Sequence, residues 1–215
     1  MNYAELAQAI CDWSNKSSID KVLPTVIRFG QRDLEDDLRI RPMEYHPTTA
    51  NVAAAAALLA LPSDYLEMIY LLLIKDGVRC PITVRSSPVE MYSTQISTTE
   101  TGTPCRVSRI ADDLVFDVLL DTAYTRDWCY YRRLPVLTAS TTGTPIPNTN
   151  WWSENAEEAL LMSCLNKLSM YVSGIPEGDK KKWADAALET REKLKFKEAR
   201  ETTGGNVLRS TPFSL

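Results

Sequence analysis

Histidine is nearly missing from this chain of 215 residues: His46 is the only one. A Ser-His-Asp relay or an HExxH zinc motif would have one imidazole to draw on, and neither pattern occurs. GxSxG and GxxxxGK[ST] are missing as well, which removes the nucleophile elbow and the phosphate-binding loop. Without a cysteine or carboxylate at ligand spacing, His46 reads as a structural residue. The cysteines are five, Cys11, Cys80, Cys105, Cys129 and Cys164, with no CxxC pair. So odd and scattered a set argues against a disulfide framework and for a reducing, cytosolic origin, with Cys80, Cys105, Cys129 and Cys164 serving as small buried hydrophobes. Long apolar runs are lacking too: Val52–Leu61 and Met68–Ile74 fall far short of a membrane span. The opening MNYAELAQAICDW carries no basic start of the secretory kind. Excess positive charge is also absent. The net charge of −4 provides no global pull toward nucleic acid or an anionic membrane.

What remains is the composition of an ordinary globular chain, 44% hydrophobic and 24% charged. Its strongest element is WWSENAEEALLMSCLNKLSMYVSG, from Trp151 to Gly174. Asn155 and Glu158 have the spacing of a capping box. Leu160, Leu161, Cys164, Leu165, Leu168, Tyr171 and Val172 recur at helical spacing, and Gly174 with Pro176 supplies the stop. A helix with so wide an apolar face requires cover from other elements, which makes it the support of a helical layer. Two helices precede it. Tyr3, Leu6, Ala7, Ile10 and Trp13 mark one that ends near Asn15. A second runs from about Ser18 to Arg39, with Leu23, Val26, Ile27, Leu34 and Leu38 inward and Pro24 near its start. Its run RDLEDDLRIR reads as a solvated face, including Glu35, Asp36 and Asp37. A last helix, capped at Asp179, carries Trp183, Ala187, Thr190 and Leu194 on one stripe and ion pairs such as Glu189–Lys193 opposite.

Between Met43 and Leu137 the pattern changes to short β-like segments broken by Pro, Gly, Ser and Thr. Predicted strands are Met43–Thr49, Ala56–Leu61, Leu66–Ile74, Arg79–Val84, Cys105–Ile110, Leu114–Leu119 and Tyr124–Arg132, with Asp76-Gly77 as a hairpin turn. SPVEMYSTQI, from Ser87, suits a short helix. Ser97–Thr103 and Thr138–Thr149 read as loops, the second a linker back to the helices. Trp128, Tyr130 and Arg132 fall on one face of their strand and Cys129, Tyr131 and Arg133 on the other. Splitting the aromatics in this way weakens them as a stacking platform for single-stranded nucleic acid. The expected architecture is α+β: a four-helix layer (1–41 and 150–203), an inserted antiparallel β-rich domain (42–149) and an extended tail (204–215). Ordering about ten tail residues costs on the order of 10–20 kcal/mol. Burying Val207, Leu208, Phe213 and Leu215 returns only about 6–12 kcal/mol. Such a tail becomes ordered against a partner that adds hydrogen bonds.

Taken in series, several stretches resemble the head-to-tail adaptor proteins of tailed bacteriophages. YAELAQAICDW is similar to that family's first helix and LPTVIRFGQRDLEDDLRIRPME to its second. LALPSDYLEM resembles its Leu-Pro-x-Asp-aromatic turn, at Leu61, Pro62, Asp64 and Tyr65. Gly102, Pro104 and Arg106 match a Gly-x-Pro strand entry. Tyr124, Tyr130, Tyr131, Arg133, Leu134, Pro135 and Leu137 match a Tyr-Tyr-x-x-x-Pro-x-Leu ending, and Asn150-Trp151 opens the next helix in the same way. The departure is DVLLDTAYTRDW, which stands where a Pro-rich turn is usual. The resemblance implies a structural virion protein at the head-tail junction, not an enzyme, and without cofactor or metal. It implies a dodecameric ring beneath the portal protein, which extends the channel for genomic DNA and offers a platform to a tail or nozzle protein. The tail residues Asn206, Val207, Leu208, Arg209, Pro212, Phe213 and Leu215 would then dock on the portal or a neighbouring subunit. Competing expectations are a head-completion or tail-terminator protein, a phage hydrolase, and a nucleic-acid-binding module.

Overall fold

A computed structural model describes residues 1–16, 18–85, 89, 100–139 and 149–202. Its helices and mostly antiparallel sheets make the chain α+β, divided into two compact units. One contains Met1–Pro42 and the described residues from Leu134 onward; the other is Met43–Arg133. Leu134–Leu137 therefore belongs with the helices, and the β-rich unit ends at Arg133, short of the expected boundary at 149. The predicted short helix from Ser87, most of the Thr138–Thr149 linker and the tail lie outside the described residues.

In the helical unit, α1 (Tyr3–Ser14) opens on a capping box in which Asn2 Oδ1 accepts from Glu5 N at 2.9 Å and Asn2 N donates to Glu5 Oε2 at 2.8 Å. It ends at Asn15, whose φ of 51° is the left-handed conformation that asparagine tolerates. Helix α2 spans Leu23–Asp37 rather than starting at Ser18. Pro24 explains the shift: its ring would clash with the preceding turn, so it fits only in the first turn of a helix. The expected single helix over Trp151–Gly174 is two, α3 (Trp151–Asn155) and α4 (Glu157–Tyr171), broken at Ala156 with φ −141° and ψ 43°. The cap is Asn150, whose Oδ1 accepts from Ser153 N at 3.0 Å, while Ser153 Oγ accepts from Asn150 N at 2.9 Å. Asn155 instead donates back to the Trp151 carbonyl at 3.2 Å. The Met1 ammonium binds the Ser153 carbonyl at 2.7 Å and pairs with Glu157 at the break.

Helix α4 buries Ala159, Leu160, Leu161, Met162, Ser163, Cys164, Leu165 and Leu168, and it packs against α1, α2, α3 and α5 (Glu177–Thr202). Its contact with α2 is close. A Cβ on Gly30 would lie 2.6 Å from Cys164 Sγ and 3.0 Å from Cys164 backbone atoms. Burial pushes the Cys164 thiol well above its ordinary pKa. Of the four cysteines expected to be buried, Cys164 alone is; Cys105 is exposed and Cys80 and Cys129 are half-buried.

The β-rich unit is built on β4 (Tyr65–Lys75) and β11 (Tyr124–Arg132), paired antiparallel along almost their full length. β1 (Glu44–Tyr45) and β2 (Ala50–Val52) add to β11, and β5 (Val78–Pro81) adds to β4. Pro47 has no N–H to give a ladder, so of the expected Met43–Thr49 strand only Glu44–Tyr45 forms, and β2 begins just beyond it. The β4–β5 turn is Asp76-Gly77, with φ of 50° and 79°, the two left-handed residues of a type I′ hairpin.

A second sheet has the order β3 (Leu58–Ala60), β9 (Asp113–Phe116), β8 (Arg106–Ile110) and β6 (Thr83–Arg85). The predicted Arg79–Val84 and Leu114–Leu119 strands are each cut in two, and their second halves change sheet. β10 (Leu119–Leu120) pairs with β7 (Thr101–Gly102), and this pair, like β6·β8, is parallel. Leu71, Leu73, Tyr124, Trp128 and Tyr130 of the first sheet share a core with Leu59, Val107, Leu114 and Phe116 of the second.

Candidate functional site

Gln31 and Glu35 lie one turn apart on α2, between Ile27 and Leu38, and both are 0% exposed. They are not a solvated face. Leu134 N donates to Glu35 Oε1 at 3.1 Å, and Leu137 N to Gln31 Oε1 at 3.2 Å. Gln31 Nε2 donates to Glu35 Oε1 at 2.8 Å and to the carbonyls of Leu134 and Pro135 at 3.2 and 3.1 Å. Asn150 Nδ2 closes the set, donating to Gln31 Oε1 and the Pro135 carbonyl, both at 2.9 Å. This clasp gives an irregular buried backbone the partners it must have. Two of the motif positions, Pro135 and Trp151, adjoin the clasp. The first offers its carbonyl to the clasp, and the second follows the cap residue that the clasp holds, with its ring edge-on to Trp152 at 5.1 Å. The signal in the sequence was two polar residues recurring on the apolar stripe of α2.

Between Gln31 and Glu35 in sequence but about half a turn round α2, Asp33 pairs with Lys167 Nζ at 2.6 Å and with Arg191, and it accepts from Ser163 Oγ at 3.3 Å. Burial opposes its ionisation, but Lys167 and Arg191 outweigh that and hold its carboxyl below the ordinary 3.8. The acid-and-base run of α2 thus joins α2 to α4 and α5.

In the β-rich unit the structure brings Leu61, Pro62, Asp64, Tyr65 and Tyr130 together. Leu61 N donates to the Asp112 carbonyl at 2.9 Å and Tyr65 N to the Pro62 carbonyl at 3.0 Å. The Asp64 carbonyl accepts from Arg133 N at 2.7 Å, and its Oδ1 accepts from Tyr130 Oη at 3.2 Å. One aspartate therefore fastens the start of β4 to the end of β11. The Tyr130 ring stands 5.7 Å from Tyr45, 5.6 Å from Tyr65 and 5.3 Å from Trp128. Burial, reinforced by Asp64, pushes its hydroxyl up to about 12. Arg132 caps the Tyr45 ring at 4.2 Å, Arg109 the Tyr65 ring at 5.2 Å and Arg126 the Trp128 ring at 4.5 Å. Ring faces covered by arginines and other rings offer little room for bases to stack. Tyr131 points to the opposite face of β11, in register with Glu44 and Glu67.

His46 Nε2 lies 2.7 Å from Asp127 Oδ1, which also accepts from Tyr70 Oη at 3.3 Å. The imidazole is half exposed on an open sheet surface. Among the described residues no three His, Cys, Asp or Glu side chains are placed to hold a metal, and no described helix is long and apolar enough to cross a membrane. An open groove of about 510 Å³ beside α1, with Ala4, Ala7, Cys11 and Leu23 in its lining, holds no comparable cluster. The chemistry on view is that of fastening. The tail residues Asn206, Val207, Leu208, Arg209, Pro212, Phe213 and Leu215 lie outside the described residues.

The family model described as SU10 adaptor protein matches residues 1–210, which bears out the resemblance to phage head-to-tail adaptors over nearly the whole chain. No curated protein matches it.

Proposed function

Since this chain belongs to the SU10 adaptor protein family, we propose that it forms a ring beneath the portal protein of a phage virion. There it extends the DNA channel and gives the tail or nozzle protein its attachment platform. The observation that carries this reading is the family match over residues 1–210. The two-unit build supports it. In this reading α1, α2, α4 and α5 form the four-helix layer that meets the portal, and the β-rich unit reaches neighbours and tail. Copies arranged in a ring, twelve in the family's pattern, turn weak single contacts into high avidity. The DNA passes without sequence recognition, consistent with a net charge of −4. The deciding measurement is the mass of the purified protein, alone and mixed with assembled portal. Ring-sized species with portal are expected; a strict monomer indifferent to portal overturns the reading.

A further inference from the structure

Arg126 lies mid-strand on β11, on the face that carries Tyr124, Trp128 and Tyr130, all three buried. Its register partners are Leu73 of β4, which is 0% exposed, and Ala50 of β2. Strand alternation therefore aims a cation along an otherwise apolar face. A guanidinium does not shed its proton, so in such a place it needs an anion or water. Among the described residues it has no carboxylate, and its partner is the Trp128 ring. Two N–H donors at this stack are buried without an acceptor: Arg126 Nε and the Nε1 of Trp128, itself 1% exposed. Burial lowers the Arg126 pKa from its ordinary value, and Tyr130 offsets only part of that. Arg132 also has a buried Nε without an acceptor, but the ring beneath it is a tyrosine with no ring N–H.

We propose that Arg126 and Trp128 form an oxyanion site that receives a carboxylate from an acidic side chain of a neighbouring protein subunit. The guanidinium supplies charge and a planar fork matched to a carboxylate, and the Trp128 ring beneath it, 4.5 Å away, holds that fork in place and reports on its occupation. A nucleic-acid backbone presents the same oxyanion chemistry but brings a row of charges. The unit Met43–Arg133 opposes that row with eight Lys and Arg against eleven Asp and Glu, a net charge of −3. One carboxylate on a protein surface meets the arginine without that repulsion. The identity of the donor rests on the adaptor reading; the site itself does not.

The test is a titration of the full chain with sodium acetate, and separately with inorganic phosphate, chloride replacing each to hold ionic strength. The readout is the Trp128 indole N–H resonance, assigned by its loss in W128F or, if that variant does not fold, by its proximity to the Tyr130 ring. A saturable shift with acetate is expected, at least tenfold weaker in R126Q. R126K, which keeps the charge but not the fork, serves if R126Q does not fold and is expected to bind more weakly than the parent. A shift no larger than chloride produces, or one unchanged in the variant, overturns the proposal. Tighter binding of phosphate than of acetate overturns it as well and points to a nucleic-acid backbone. Because neither ring formation nor portal binding is read, a negative result leaves the adaptor reading standing.

Discussion

At Gly30 the helical unit has no room for one methyl group. The nearest obstacles are the Cys164 thiol and backbone atoms of the same residue, which cannot swing aside. Gly30→Ala should therefore cost about 1–3 kcal/mol, the usual range for overpacking, read as a shifted denaturant midpoint. Adding Cys164→Ala should recover only part of it, because the backbone contacts remain. Asp33 makes a pH-dependent contribution. Its folded pKa lies below the ordinary 3.8 because Lys167 and Arg191 favour the carboxylate. The stabilisation is present above the unfolded value and is lost as pH falls through the lower folded value. Asp33→Asn should be less stable than the parent at neutral pH, and the gap should close in acid. A constant gap across denaturation curves at both pH values would refute this account. Asp33 and Glu35 read as solvated charge in sequence because RDLEDDLRIR alternates sign; their partners lie on α4 and α5 and in the segment 134–137, far away in the chain.

The elements themselves divide by how local their causes are. Strand β11 has the bounds read from its pattern, Tyr124–Arg132, and Asp76-Gly77 makes the expected turn. In both, the determining residues are neighbours in sequence. α1 ends at Asn15 for the same reason. The break at Ala156 was not legible, because the Asn155–Glu158 spacing and the Asn150–Ser153 spacing offer competing caps. Asn150 prevails, and it is also the residue that Gln31 and the Pro135 carbonyl hold in place. Asn150→Ala is thus expected to cost more than a simple cap, toward the upper end of about 0.5–2 kcal/mol. Asn155→Ala, by contrast, should be nearly silent. Equal losses from the two in thermal unfolding would contradict the assignment.

At the scale of the whole molecule, the question is what a member of an adaptor family joins. Val207, Leu208, Phe213 and Leu215 cannot offset by burial the entropy of ordering the tail, so we propose that a partner completes the account. Truncation after Thr202 is expected to leave thermal stability nearly unchanged while weakening binding to assembled portal at least tenfold. Full-strength binding by the truncated chain would remove the tail from the interface.

By itself, the sequence determined the α+β class, most of the helices and strands, the hairpin turn and the family. Each depends on spacing, turn chemistry or ordered motifs that are present along the chain. Tertiary structure alone decided that Arg79–Val84 and Leu114–Leu119 divide between sheets, and that Leu134–Leu137 joins the helices. It also decided that Gln31, Asp33 and Glu35 fasten rather than face water. Those outcomes depend on which distant donor or carbonyl completes a buried polar group, and pairings of that kind leave no period in a sequence.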